Sequence, residues 1–268
     1  MNPIFSRTLK TLCTVVVAGL LSACGSSSTV DAFKPTRVIG LGDAYNDTSN
    51  AQYTVRGTTQ TITTVAAQMA ALYGAPTVVS YAHSDYAGTT SASGVHNLLD
   101  QVAGLGSLSN TADLVVITAG TVEFKAGVAG ATFLGNLKSA LDTLKAKGAK
   151  HIVIMEVVDI TTASSADAAT LSFNSAVKAG LNDYSDVVRY GIINRPNAGL
   201  LGFPNWATHT TTPFCVTPTT LDGCAFTEVG NATGDVATYF LADNLHPTPA
   251  GNQWLGTQLY NGTGGGWR

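Results

Sequence analysis

Short apolar runs of strand length alternate with helical patterns along most of this chain. The runs are rich in valine and isoleucine, and several lack the polar and apolar alternation of a half-exposed strand. They lie at Arg37–Leu41, Val78–Ala82, Leu114–Thr118, Ile152–Val158 and Val187–Ile193. Helical patterns lie between or after them, at Thr59–Leu72, Ser93–Val102, Phe133–Lys147, Ala166–Leu181 and Pro249–Tyr260. This order predicts an α/β fold with a central parallel sheet of about five strands, covered by helices on both faces.

The composition is that of a globular chain. Of its 268 residues, 45% are hydrophobic and 12% are charged, so the chain can bury a sizeable core, and its length suits a single α/β domain. The formal net charge is -3 and no basic run lies beyond the N-terminus, so a nucleic-acid partner is not indicated.

The N-terminus has the features of a bacterial lipoprotein signal. Arg7 and Lys10 flank the start of an apolar stretch over residues 11–21, which is shorter than the roughly 20 residues that a membrane-spanning helix needs. The sequence Leu-Ser-Ala-Cys at Leu21–Cys24 then resembles a lipobox, in which the cysteine is lipidated and becomes the first residue. An ordinary signal peptide that contains a cysteine is the alternative.

These features divide the chain into three parts. We predict a signal peptide at residues 1–23, a flexible tether at 24–36 and one folded domain at 37–268. Because no aspartate follows Cys24, the sorting rule for bacterial lipoproteins favours the outer membrane, with the lipid anchor on the periplasmic side.

The remaining cysteines predict a disulfide. Cys13 leaves with the signal peptide and Cys24 carries the lipid, so Cys215 and Cys224 remain in a chain sent to an oxidising compartment. We expect them to bond and to pin an insertion at residues 194–239, which is rich in threonine, proline and glycine. Two free thiols are the alternative.

Three loops are expected at the carboxyl edge of the predicted sheet, where ligands bind in such folds. They are Gly42–Asp47 after the first strand, Gly120–Glu123 after the third, and Asp243–Thr248 before the last helix. An aspartate three residues before a histidine can accept a hydrogen bond from one imidazole nitrogen and leave the other as a base. The alternative for Asp243 and His246 is a capped helix start beside an incidental surface histidine.

The ordered set of motifs resembles the SGNH hydrolases, also called GDSL hydrolases, over nearly all of Arg37–Tyr260. Members carry Gly-Asp-Ser after the first strand, a glycine after the second, Gly-x-Asn-Asp after the third, and Asp-x-x-His near the C-terminus. The resemblance implies a three-layer α/β/α sandwich of flavodoxin-like type and hydrolysis of ester bonds in lipids, acyl chains or acetylated sugars. It also implies a serine nucleophile, a histidine base, and an oxyanion hole made by two backbone amides and the asparagine.

Carried over residue by residue, the resemblance leaves the catalytic set incomplete. Asp243 and His246 match the acid and the base, and Gly88 matches the oxyanion-hole glycine. Ala44 stands where the nucleophilic serine belongs, and Val122 stands where the oxyanion asparagine belongs. Two neighbours of the nucleophile position are expected to contact substrate, Asp43 and Tyr45.

Two functions follow from this incomplete set. The first is a pseudo-hydrolase that keeps the cleft and binds a small molecule, a lipid or an acylated glycan. The second is an active esterase that uses a relocated nucleophile or a water activated by His246. Candidate hydroxyl groups for a relocated nucleophile are those of Thr48 and Ser49, four and five residues after Ala44, and of Ser84 near the glycine motif. No cofactor is implied, and the histidines show no metal-ligand spacing.

Overall fold

Five parallel strands form the central sheet of the computed structural model. The structure describes residues 33–48, 52–55, 58–61, 63–83, 97–158, 168–191, 240 and 247–263. The strands of the sheet are β1 (Arg37–Gly42), β4 (Thr77–Ser80), β5 (Asp113–Thr118), β6 (Ile152–Met155) and β7 (Val188–Gly191). They pair in the order β4-β1-β5-β6-β7, and each neighbouring pair is parallel. The predicted parallel sheet is confirmed.

Helices cover both faces of this sheet. They are α1 (Val65–Tyr73), α2 (Leu98–Gly104), α3 (Thr121–Lys125), α4 (Gly130–Ala146), α5 (Ala168–Gly180) and α6 (Pro249–Thr263), with a 3-10 turn at Asn182–Tyr184. Alternate strand residues point to opposite faces, so Ile39 belongs to the core cluster that includes residues of α2, α4 and α5, whereas Val38 belongs to the cluster that includes residues of α1 and α6. The result is the predicted three-layer α/β/α sandwich.

Local capping explains where two of these helices begin and end. The Thr64 hydroxyl accepts a hydrogen bond from the Ala67 amide at the start of α1, and Gly74 ends that helix with a φ of 70°. At α6, the Thr248 hydroxyl accepts from the Gly251 amide at 3.0 Å, and Pro249 occupies the first helical position. These contacts fix the end of α1 and the start of α6.

The first helix differs from its prediction. The sequence pattern predicts a helix over Thr59–Leu72, but α1 begins at Val65, and Thr58–Thr61 forms strand β3, paired antiparallel with β2 (Gln52–Val55). Threonine is β-branched and favours extended backbone, so the threonine-rich start of the predicted helix becomes a hairpin strand. The strand predicted over Ile152–Val158 likewise ends earlier, at Met155.

Several predicted features lie outside the described residues. These are the signal peptide, the lipidated Cys24, the insertion at 194–239 and its cysteine pair. In the part of the chain that the structure describes, no helix is long and apolar enough to cross a bilayer.

Candidate active site

The turn after β1 begins at Gly42, which packs so closely against the end of β5 that no side chain fits there. Gly42 has a φ of +107°, and a Cβ atom there would lie 1.8 Å from the carbonyl oxygen of Thr118. The next amide, that of Asp43, donates to the same carbonyl at 2.8 Å. The chain then turns, with the Asn46 amide donating to the Asp43 carbonyl at 3.0 Å. Ala44 lies within this turn, and its side chain is buried.

A buried asparagine fixes the turn to three other backbone segments. The side-chain amide of Asn46 donates to the carbonyls of Leu41 and Val116, at 3.1 Å and 3.0 Å. Its side-chain oxygen accepts from the Ala66 amide at 2.9 Å. Because these partners belong to β1, β5 and α1, the turn that contains Ala44 is set by both strands and by the first helix. A single asparagine in a loop gives no sequence signal for this role.

Asp43 is a buried carboxyl group with one unpaired oxygen. Its Oδ1 accepts from the Tyr45 amide at 3.2 Å, whereas its Oδ2 is buried without a hydrogen-bond partner. Burial raises the pKa of Asp43 to about 7, and the charge of Glu123 also raises it, against the lowering effect of the Thr118 hydroxyl and the Tyr45 amide. The side chain is 3% exposed. Asp43 is thus an internal group in this structure, and its contact with substrate stays a prediction.

Tyr45 is also internal. Its side chain is 2% exposed and belongs to the core cluster that contains Phe240 and Trp254, beneath α1 and α6. The prediction that Tyr45 contacts substrate is therefore not supported by its position. Its backbone has a structural role, because the carbonyl of Tyr45 accepts from the Val65 amide at the start of α1.

The short helix after β5 carries Val122, where the family resemblance expects the oxyanion asparagine. Gly120 has a φ of +109°, and its amide donates to the Glu123 side chain at 3.0 Å, which closes the first turn of α3. Val122 is half-buried and packs against the core. An isopropyl group therefore stands where the family resemblance expects an amide donor, and it cannot donate a hydrogen bond to an oxyanion.

The parallel sheet brings the turns that contain Ala44 and Val122 to one edge. Gly42 on β1 is in register with Thr118 on β5, so the turns that follow the two strands lie side by side. The helix that follows the third motif is fixed at its start, because the Thr248 amide donates to the Phe240 carbonyl at 2.9 Å. The remaining predicted site residues, Gly88, Asp243 and His246, lie outside the described residues.

The site has no metal cluster in its described part. Among the residues that the structure describes, no group of three or more histidine, cysteine, aspartate or glutamate side chains could hold a metal ion.

The fold and the ordered turns define the class of a GDSL-type α/β hydrolase. The sequence profile of the GDSL-like lipase/acylhydrolase family matches residues 38–259 of this chain. The chain therefore belongs to that family, as its motifs predict. No curated protein matches the sequence at a significant level.

Among solved structures, one has the same fold with a TM-score above 0.5. Phospholipase A1 from Streptomyces albidoflavus NA297 superimposes with a TM-score of 0.51 at 16% identity, over 85% of this chain and 98% of that chain. A member of the lipolytic G-D-S-L family from Veillonella parvula DSM 2008 gives a TM-score of 0.46 at 15% identity, over 84% and 96%.

Proposed function

We propose that this chain is a pseudo-hydrolase, a ligand-binding member of the GDSL family that descends from an ester hydrolase. The observation that carries the proposal is the buried methyl group of Ala44 in the turn after β1. A methyl group cannot attack a carbonyl carbon, and loss of a serine nucleophile lowers turnover on the order of 10⁶-fold.

The second degenerate position supports the same conclusion. Removal of one oxyanion donor lowers turnover by roughly 10²–10³-fold, and Val122 removes that donor here. The two losses do not multiply, because an oxyanion hole stabilises nothing when no nucleophile forms the intermediate. What the family resemblance leaves intact in sequence is Asp243, His246 and Gly88. A cleft with these groups would bind an acyl chain, an acylated glycan or another ester-bearing ligand of the envelope.

The direct test measures turnover of p-nitrophenyl esters of several chain lengths by the purified mature protein, together with labelling by a serine-directed fluorophosphonate. We expect negligible turnover and no label for the wild type. Ala44→Ser should raise turnover of short activated esters, and adding Val122→Asn should raise it further. Adding His246→Ala should abolish the gain, because the serine needs its base.

Two outcomes would change the conclusion. Wild-type turnover as fast as that of the double variant would contradict the pseudo-hydrolase and support an active esterase with a relocated nucleophile or a water activated by His246. A folded double variant that remains inert would leave only the ligand-binding role.

We propose further that Cys24 carries a lipid that anchors the protein to the periplasmic side of the outer membrane. The support is the sequence alone, namely the apolar segment that ends in Leu-Ser-Ala-Cys and the absence of an aspartate after the cysteine. The proposed disulfide between Cys215 and Cys224 suits the same oxidising compartment.

A further inference from the structure

A buried glutamine contacts the last residue of β1. On α2 the buried positions are Leu98, Gln101 and Val102, so an amide side chain occupies an otherwise apolar stripe. The Oε1 atom of Gln101 accepts from the Gly42 amide at 2.6 Å, and its Nε2 atom donates to the Gly42 carbonyl at 2.9 Å. A buried amide is costly unless it is hydrogen-bonded, and here both ends bind the backbone of one residue, Gly42, and so hold the two peptide groups that flank its Cα atom.

The glutamine binds where the ladder between β1 and β4 ends. The last paired residues of that ladder are Gly40 and Ser80. The Gly40 carbonyl accepts from the Tyr81 amide, and the Gly42 carbonyl accepts from the His83 amide at 3.2 Å, so Gly42 faces the same side as Gly40. No β4 residue pairs with Gly42 on that side. Gln101 therefore supplies the acceptor for the Gly42 amide and gives the Gly42 carbonyl a second donor beside His83.

We propose that Gln101 is the positioning residue for the nucleophile position. Its amide fixes the Gly42 peptide groups on one side while Thr118 holds the Asp43 amide on the other. The orientation of residue 44, two positions after Gly42, depends on both constraints. The inference rests on the proposed function only for the importance of residue 44, and Gln101 itself touches no substrate.

The chain contains a matched contact that serves as a control. On α5, the Nδ2 atom of Asn174 donates to the Val157 carbonyl at 2.9 Å, and its Oδ1 atom accepts from the Val157 amide at 3.0 Å. The chemistry is the same, but the contact lies after β6 rather than after β1. Asn174→Asp therefore reports the general effect of replacing such an amide by a carboxyl group.

The test compares Gln101→Glu, Gln101→Met and Asn174→Asp by following backbone amide NMR shifts against pH. A protonated carboxyl group can still accept from the Gly42 amide and donate to the Gly42 carbonyl, but an ionised one cannot donate. In Gln101→Glu we expect a new titration at residues 42–44 with an apparent pKa above about 4.3, the ordinary value for glutamate. This titration at residues 42–44 should be absent from the wild type, from Gln101→Met and from Asn174→Asp.

The second measurement uses turnover in the Ala44→Ser background. Gln101→Glu should lower kcat by about tenfold to a hundredfold near pH 8 with little change in KM, because misplacing a reacting group costs rate. Relative to its parent, the loss should shrink as the pH falls, whereas the loss in Gln101→Met should be independent of pH. Asn174→Asp should leave kcat close to that of its Ala44→Ser parent.

The two measurements separate the possible failures. If Ala44→Ser is inert, the rescue expected from the proposed function has failed, and the NMR titration alone decides the role of Gln101. If residues 42–44 of folded Gln101→Glu and Gln101→Met keep wild-type shifts, the positioning role is wrong. If Gln101→Glu does not fold, unchanged shifts at residues 42–44 of Gln101→Met would overturn it, and shifts confined to those residues would support it.

Discussion

Gly42 and Asp43 are adjacent residues, and the tight turn allows no side chain at the first but buries a carboxyl group at the second. Gly42 must have no side chain, because the Thr118 carbonyl occupies the space of a Cβ atom. Asp43 has a side chain whose charge is unfavourable, because one of its oxygens is buried without a partner. The same tight turn causes both effects, and each gives a measurable consequence for stability.

Gly42→Ala should strongly destabilise the fold. The new Cβ atom would lie 1.8 Å from the Thr118 carbonyl oxygen at a φ of +107°, so we expect a loss of about 2–6 kcal/mol from strain and overpacking together. Gly135→Ala is the control, because a Cβ atom there meets nothing within 4 Å inside helix α4. It should stabilise by about 0.5–1 kcal/mol. Urea unfolding midpoints measure both, and equal effects would contradict the structure.

Asp43→Asn should change how stability depends on pH. The pKa of Asp43 is raised to about 7 in the folded protein, against about 3.9 in an unfolded chain. The folded state then binds more protons than the unfolded state between these values, so this group's contribution to stability falls as the pH rises from about 4 to 7. The loss amounts to at most about 4 kcal/mol. Urea unfolding from pH 4 to 8 should show this decline in the wild type relative to Asp43→Asn.

Asp113→Asn should change the pH dependence of stability in the opposite direction, and it serves as the control. Burial raises the pKa of Asp113, but the hydrogen bond from Arg37, the Ser109 amide and the charge of Arg37 together hold it below its usual value. A carboxyl group with a lowered pKa stabilises above its unfolded pKa, and that contribution is lost as the pH falls. Asp113→Asn should therefore cost stability at neutral pH and progressively less in acid. A parallel pH dependence in the two variants would contradict these environments.

Some of the residues at the site lie inside recognisable sequence motifs, and others do not. Ala44 and Val122 are predicted from sequence because they stand inside spaced motifs after two predicted strands. Gln101 and Asn46 are not found, because a single buried amide has no periodicity and its partners are backbone atoms distant in sequence. The burial of Tyr45 was missed for a related reason, since a loop position gives no indication of which side the ring faces.

At the scale of elements, strands β1 and β5 follow the sequence more closely than helix α1. Apolar runs predict β1 and β5 to within one residue, because strands buried on both faces need uninterrupted apolar sequence. The start of α1 and the hairpin before it were mistaken for one helix, because a threonine-rich segment suits either pattern until its packing is known. Helix α3 has five residues, too few for a helical period to show.

Thr248→Ala should weaken the start of α6. It removes the acceptor for the Gly251 amide at a fully buried cap, and we expect a loss of about 0.5–2 kcal/mol. Thr143→Ala removes an exposed hydroxyl from the last turn of α4 and should change stability by less than about 0.5 kcal/mol. Thermal or urea unfolding of the two variants checks the difference. Equal losses would mean that the Thr248 hydroxyl does not cap the helix.

At the scale of the whole molecule, the parallel sheet is what makes the site. Residues 43–44 and 120–123 are distant in sequence but meet because β1 and β5 are adjacent and parallel. The family match begins at residue 38 and β1 begins at Arg37, so the hydrolase fold does not account for the segment before them. The role proposed for that segment is attachment to the membrane.

Cys24→Ser should abolish that attachment. In the wild type we expect a mature N-terminus at a lipidated Cys24, observed by mass spectrometry of the N-terminal peptide and by recovery of the protein with the outer membrane. Cys24→Ser removes the thiol that accepts the lipid, so the variant should lack the lipid mass and leave the outer-membrane fraction. Cys13→Ser is the control, since Cys13 lies in the predicted signal peptide and should leave the mature protein unchanged. An unmodified wild-type N-terminus at another residue would contradict the anchor, because one lipid-bearing cysteine is the whole basis for placing this domain at the membrane surface.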